Sequence, residues 1–314
     1  MGKDGRNRRK DKKRNDERRS AERFRRRSAT SVENIEKFQR QYVLEWSGSA
    51  QAFDQSGHYA WMASLLEDFV TVVEIGIGDG RSTRALAGSG HAVIALEENP
   101  FCIDAAKATL DAAGIPCTAV LRGTRDINEG RHEFFVSYAR VASSRPAPGT
   151  VLILESDVIS DPLLEAWLIQ TGTIDAVACW LIGTHAGQQR NAPYVRDQVF
   201  SVPEYRLRVH RAAYEFAGRV LRTDGVLQIV ERAHIAPGDA RASELRQALR
   251  GHQHLAQQSQ MEPWQQDQRA YEEPEAGGMR MMSTLRSSAQ IETLDQRTLE
   301  LVSTISRKFA TLAR

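Results

Sequence analysis

"VVEIGIGDGRSTRAL", Val72 to Leu86, sets a short β-branched run against three alternating glycines and then a helix-forming segment. The run "VTVVEIG" is brief, apolar and closed by glycine, which predicts a buried parallel strand and not a helix. "RSTRALAGSG" then reads as a helix ended by glycine, "HAVIALE" as a second strand, and "FCIDAAKATLDAAG" as a second helix stopped by Gly114 and Pro116. Strand, helix, strand, helix predicts an α/β fold: a doubly wound, Rossmann-like parallel sheet with helices on both faces. Upstream, "SVENIEKFQRQYVLEW" and "FDQSGHYAWMASLLEDF" carry apolar residues at helical spacing and predict an N-terminal helical cap over residues 31–70.

The glycines do not satisfy the dinucleotide fingerprint. That motif wants glycine or alanine at the third position of GxGxxG, where helix and strand pack closely, and this register places Arg81 there. The chain has no GxxxxGK[ST] phosphate loop either. What remains is E-x-G-x-G-x-G: Glu74, Gly76, Gly78 and Gly80.

This pattern resembles the first motif of the class I S-adenosylmethionine-dependent methyltransferases, and matches to that superfamily continue over about residues 50–235. The resemblance implies a methyltransferase with S-adenosyl-L-methionine as cofactor. The glycine loop would pass under the methionine part, and an acid ending the second strand would take both ribose hydroxyls. Glu97 in "VIALEENP" matches that acid, 17 residues after Gly80, and its two oxygens suit a vicinal diol. Its neighbour Glu98 is the weaker match. For the acid contacting adenine, "TAVLRGTRD" offers Thr124 or Asp126, while "GTVLILESDV" offers Asp157. We take Asp157, because one helix then leads directly to the next strand. Residues 117–149 become a β-type insertion, with "CTAVLRG" and "HEFFVSYARV" expected as its two strands.

"GTIDAVACWLIGTH" resembles the family's fourth strand, whose end faces the methyl group, and "YEFAGRVLRTDGVLQIVERA" its following helix and fifth strand. His185 stands where a general base would act. His58, Tyr59, Trp180, Glu231 and His234 are further substrate-pocket candidates. The fourth strand lacks the Asn/Asp-Pro-Pro-aromatic turn that accompanies amino-group methylation of bases. Cys117 follows a proline but precedes the third strand, out of place for a cytosine C5 nucleophile. No metal is expected. "HQH" at 252–254 points to two helix faces without a third ligand and reads as a solvated helix face.

Charge divides the chain. Residues 1–27 hold 14 Lys/Arg and 5 Asp/Glu, net +9, which leaves −7 for the rest of a chain whose formal charge is +2. The basic tail, residues 1–30, has almost no apolar residues and is expected to be disordered alone. It suits nucleic-acid partners through counterion release, or serves as a solvated arm. The acidic body tips the expected acceptor towards a small molecule over RNA. The alternative function is a catalytically silent methyltransferase-fold module that binds nucleic acid or protein. Three scattered cysteines and no long apolar run predict a cytoplasmic protein without a membrane partner. Beyond the core at 71–235, residues 236–314 are expected to add a polar helix at "ASELRQALRGHQHLAQQ", a final strand at "GGMRMMSTLRSS", and a last helix at "QIETLDQRTLELVSTISRKFATL". The apolar stripe of that helix reads as core, lid or a contact to a second subunit.

Overall fold

The computed structural model describes residues 32–128, 130–199, 201–273 and 297–309. The basic tail, residues 1–30, and the strand expected at 277–288 lie outside them.

Two helices, α1 (Val32–Gln55) and α2 (His58–Ser64), precede the sheet. The doubly wound part follows as β1 (Thr71–Ile75), α3 (Arg81–Gly88), β2 (Ala92–Glu97) and α4 (Pro100–Ala112). Asn99 caps α4 by accepting from the Phe101 amide at 3.1 Å, with Pro100 opening the helix where no amide donor is needed. Next come β3 (Cys117–Val120), β4 (Gly123–Asn128), β5 (Glu133–Tyr138), β6 (Val151–Glu155), α5 (Leu164–Thr171) and β7 (Ile174–Trp180). A 3-10 turn (Ala186–Arg190), α6 (Ala192–Arg196) and α7 (Val202–Val220) lead to β8 (Leu221–Ile235). The chain continues through α8 (Asp239–Gln257), β9 (Met261–Ala270) and β10 (Thr298–Lys308).

The main sheet has the order β3-β6-β2-β1-β7-β8-β10-β9. The strands from β3 to β8 in this order are mutually parallel, and β10 runs antiparallel between β8 and β9. Side chains alternate between two cores. Val73, Ile75, Ile94 and Leu96 face α5 and α7 through Leu168, Ala213 and Phe216. Val72, Val93 and Ala95 face the other way, against Trp46, Phe53, Met62, Leu86 and Ile103 of α1 to α4. From β1 the chain winds outward to β2, then returns to continue on the other side with β7, so the winding reverses beside the glycine loop. In open α/β sheets that reversal opens a crevice at the strands' carboxyl ends.

Two sequence expectations change. The last helix is instead the strand β10, whose seven residues from Leu301 to Arg307 include six that are buried, polar Ser303, Thr304 and Ser306 among them. Covered on both edges and both faces, this strand shows no polar-apolar alternation, and its leucines imitate helical spacing. In the 117–149 insertion, "CTAVLRG" does not pair with "HEFFVSYARV": β3 joins the main sheet beside β6, and β4 pairs with β5 as a separate hairpin. The junction is fixed by Glu155, which accepts from the amides of Arg122 and Gly123 at 2.7 Å each. Beneath it, Arg122 and Asp161 form a fully buried ion pair, with Ser156 and the Leu163 amide also donating to Asp161.

Candidate active site

The glycine loop leaves β1 with Gly76, Gly78 and Gly80 all at positive φ, 74°, 54° and 82°. Gly80 is compelled twice, since a Cβ there would stand 2.6 Å from the backbone Cα of Ala106 in α4. At Gly78 the added atom would meet the Trp46 indole at 2.2 Å. Helix α1 therefore rests directly on the loop. It is held there by Asn99, which donates to the Gln39 carbonyl at 3.1 Å, and by the Arg84–Asp54 pair at 2.6 Å.

Between α1, α7 and the ends of β1, β2, β6 and β7 lies a cleft of about 630 Å³, its mouth included. Gly76 and Gly78 form its floor, Tyr42 and Trp46 wall it from α1, and Tyr205 and Val209 from α7. Three carboxylates, Glu97, Glu98 and Asp157, and the His185 imidazole converge on this space. Glu97 accepts from the amides of Gly78 at 3.1 Å, Glu98 at 3.1 Å and Asn99 at 3.0 Å. Burial and the adjacent Glu98 charge nonetheless push its carboxyl up to about 8. Burial likewise raises Asp157 to about 6, against the Ile159 amide that donates to it at 2.9 Å. Carboxyls held this way regain their charge when a cation or good donors arrive.

His185 is buried at the cleft edge with Nε2 2.9 Å from Glu98. Its ring meets Tyr42 edge-on at 6.2 Å, and Nδ1 is buried with no hydrogen-bond partner.

Other sequence candidates fall elsewhere. Glu74 lies under the loop, where it accepts from Thr83 at 2.7 Å, and neither it nor Gly80 lines the cleft. Both shape the loop from behind. His58 and Tyr59 pack with Phe53 and Tyr271 in an aromatic cluster away from the cleft. Trp180 is core, donating to Gln228 at 2.9 Å, and His234 sits within β8 opposite Leu299. Glu231 lines a separate, smaller cavity. There it accepts from His252 at 3.1 Å, so His252 is not on a solvated helix face; His254 is exposed as expected. Thr124 and Asp126 are exposed on the β4–β5 hairpin. Among the described residues no cluster of three or more His, Cys, Asp or Glu is placed to hold a metal ion. No described helix is long and apolar enough to cross a membrane.

Sequence reasoning passed over Tyr42, Trp46 and Tyr205 and gave Glu98 no partner. The i, i+4 aromatic pair on α1 was a readable signal for a wall. The pairing of Glu98 with His185 across 87 positions was not.

The fold is Rossmann-like: a large, mostly parallel sheet flanked by helices. Similar solved structures include TYW2 from M. jannaschii in complex with AdoMet, at 11% identity, covering 82% of this chain and 77% of that one with a TM-score of 0.43. Geranyl diphosphate methyltransferase in complex with SAM matches at 12% identity, 79% and 85% coverage and a TM-score of 0.40. The YcgJ protein from Bacillus subtilis matches at 13%, with 81% of this chain and 99% of that chain covered and a TM-score of 0.40. Likenesses at this level concern the fold alone. No family model matches the sequence, and no curated protein matches it.

Proposed function

We propose that this chain binds S-adenosylmethionine in the cleft and transfers its methyl group to a small-molecule acceptor. One observation carries the reading: Glu97 and Asp157, both desolvated, and the half-buried Glu98 converge on a single cleft floored by side-chain-free backbone. A ligand bearing a sulfonium, an ammonium, a ribose diol and an adenine amino group supplies positive charge and further donors to this acidic lining. Glu97 would hold the diol, Asp157 the amino group, and Gly76 and Gly78 the methionine part.

The cofactor supplies a methyl group on a sulfonium sulfur, which departs as a neutral thioether. The protein's part is to align the acceptor's lone pair with that methyl and to receive the acceptor's proton. The Glu98–His185 pair stands at the cleft to receive it. The acidic lining and the net charge of −7 outside the tail favour a small acceptor over a polyanion such as RNA. Labelled cofactor incubated with separated small-molecule, RNA and protein fractions of a cell extract tests this: label should enter the small-molecule fraction. Transfer to no fraction would instead support a silent interaction module.

A further inference from the structure

Just past β7 the chain places a glycine, Gly183, that its backbone does not require: unlike Gly76, Gly78 and Gly80, it has no positive φ. Space requires it. A Cβ at this position would stand 2.3 Å from the hydroxyl oxygen of Tyr42 and 3.2 Å from its ring. The missing side chain leaves the seat in which that hydroxyl rests, and both residues line the cleft.

Nothing in the protein uses the hydroxyl once it is seated. Tyr42 is half-buried, and among the described residues its oxygen has no hydrogen-bond partner. Burial, with the neighbouring Cys102, Glu97 and Glu98, holds the phenol well above its usual pKa of 10, so it stays neutral. The ring is fixed on two sides, parallel to the Trp46 indole at 6.4 Å and edge-on to His185 at 6.2 Å. Trp46 in turn lies against Gly78 on the cleft floor. A polar atom held in one place at a cleft, with no partner of its own, is suited to complete its bonding with a ligand.

The covalent order of the proposed cofactor says which of its atoms that would be. With the ribose at Glu97 and the methionine part at Gly76 and Gly78, the sulfonium that joins them falls between these residues, on the side that Tyr42 walls. We propose that the Tyr42 hydroxyl contacts the methyl-bearing sulfonium centre and makes the cleft distinguish the cofactor from its demethylated product. The proposal rests on the methyltransferase reading and adds to it a specificity-determining residue. The lone pairs of the hydroxyl attract a positive charge and polarised methyl hydrogens. The product, a neutral thioether without the methyl, offers neither, so this contact loosens once transfer is complete.

The test is calorimetric titration of three ligands into the full chain: S-adenosylmethionine, S-adenosylhomocysteine, and sinefungin, in which an amine-bearing carbon replaces the methyl-bearing sulfur. Tyr42→Phe keeps the ring and removes only the hydroxyl. It should weaken sinefungin by about tenfold or more, the weight of a hydrogen bond to a charged group. S-adenosylmethionine should weaken by about two- to fivefold, and S-adenosylhomocysteine hardly at all. Gly183→Ala, which displaces the hydroxyl and keeps it, should give the same order. A structural role of Tyr42 would instead weaken all three ligands alike. The proposal is overturned if Tyr42→Phe weakens the three equally or weakens none, or if a folded Gly183→Ala keeps the wild-type ratios. Each of those results spares the proposed function, because wild type still binds the cofactor; a wild type that binds none of the three sinks both.

Discussion

His185 Nε2 lies 2.9 Å from a carboxylate oxygen of Glu98, a residue 87 positions earlier that the second strand delivers to the same cleft. The carboxylate orients the ring, as a proton acceptor needs during transfer. Replacing His185 by Ala should lower kcat by about 100-fold or more and leave cofactor affinity nearly unchanged. Glu98→Gln, which keeps the shape but weakens the hold on the ring, should give a smaller loss in kcat. Equal activity of wild type and His185→Ala across pH 6–9 would remove the pair from the chemistry.

Glu74 supports the glycine loop from inside the protein, and burial raises its carboxyl from 4.5 to about 7. The folded state therefore keeps a proton that the unfolded chain releases. Below about pH 4.5 this contribution is fully present; it declines as pH rises and is lost above about 7. Glu97 and Asp157 act in the same direction, so the informative quantity is a difference. The Tm of Glu74→Gln minus that of wild type should grow between pH 5 and 8. A difference that stays constant with pH would show that Glu74 titrates normally.

At Gly80, φ is 82° and the space for a Cβ is filled by the α4 backbone at Ala106. Gly80→Ala should cost about 1–3 kcal/mol from the backbone conformation, and more from displacing α4. Denaturant unfolding measures it. A variant as stable as wild type would show that the loop and α4 separate easily.

Asp161 neutralises Arg122 where both side chains are essentially excluded from solvent. Asp161→Asn leaves a buried guanidinium unpaired, and the expected loss is about 3–5 kcal/mol, read from the denaturation midpoint. A loss below 1 kcal/mol would mean water reaches Arg122 in the variant.

What the sequence disclosed and what it hid follow from the range of the interactions. The strand–loop–helix at 71–88 was legible because its demands are local: β-branched residues for a buried strand, then glycine where φ turns positive. Asp157 was legible as the end of an apolar strand. Glu97 was preferred to Glu98 on the alternation from Val93 and Ala95, but the partner of Glu98 was invisible because β2 and the loop after β7 meet only in the folded chain. Strand β10 was misread because Ser303, Thr304 and Ser306 are buried without being apolar. His252 was misread because Glu231, its partner, comes from a different element.

Titration of S-adenosylmethionine into wild type and Glu97→Ala, followed by calorimetry, tests the central claim most directly. Glu97 is buried at the cleft and linked to the glycine loop by the Gly78 amide at 3.1 Å, so the ligand and the loop depend on it together. The expected result is one site of micromolar-range affinity, about −8 kcal/mol, in wild type and loss of binding in a folded Glu97→Ala. No binding to wild type, or equal binding to both, would contradict the account.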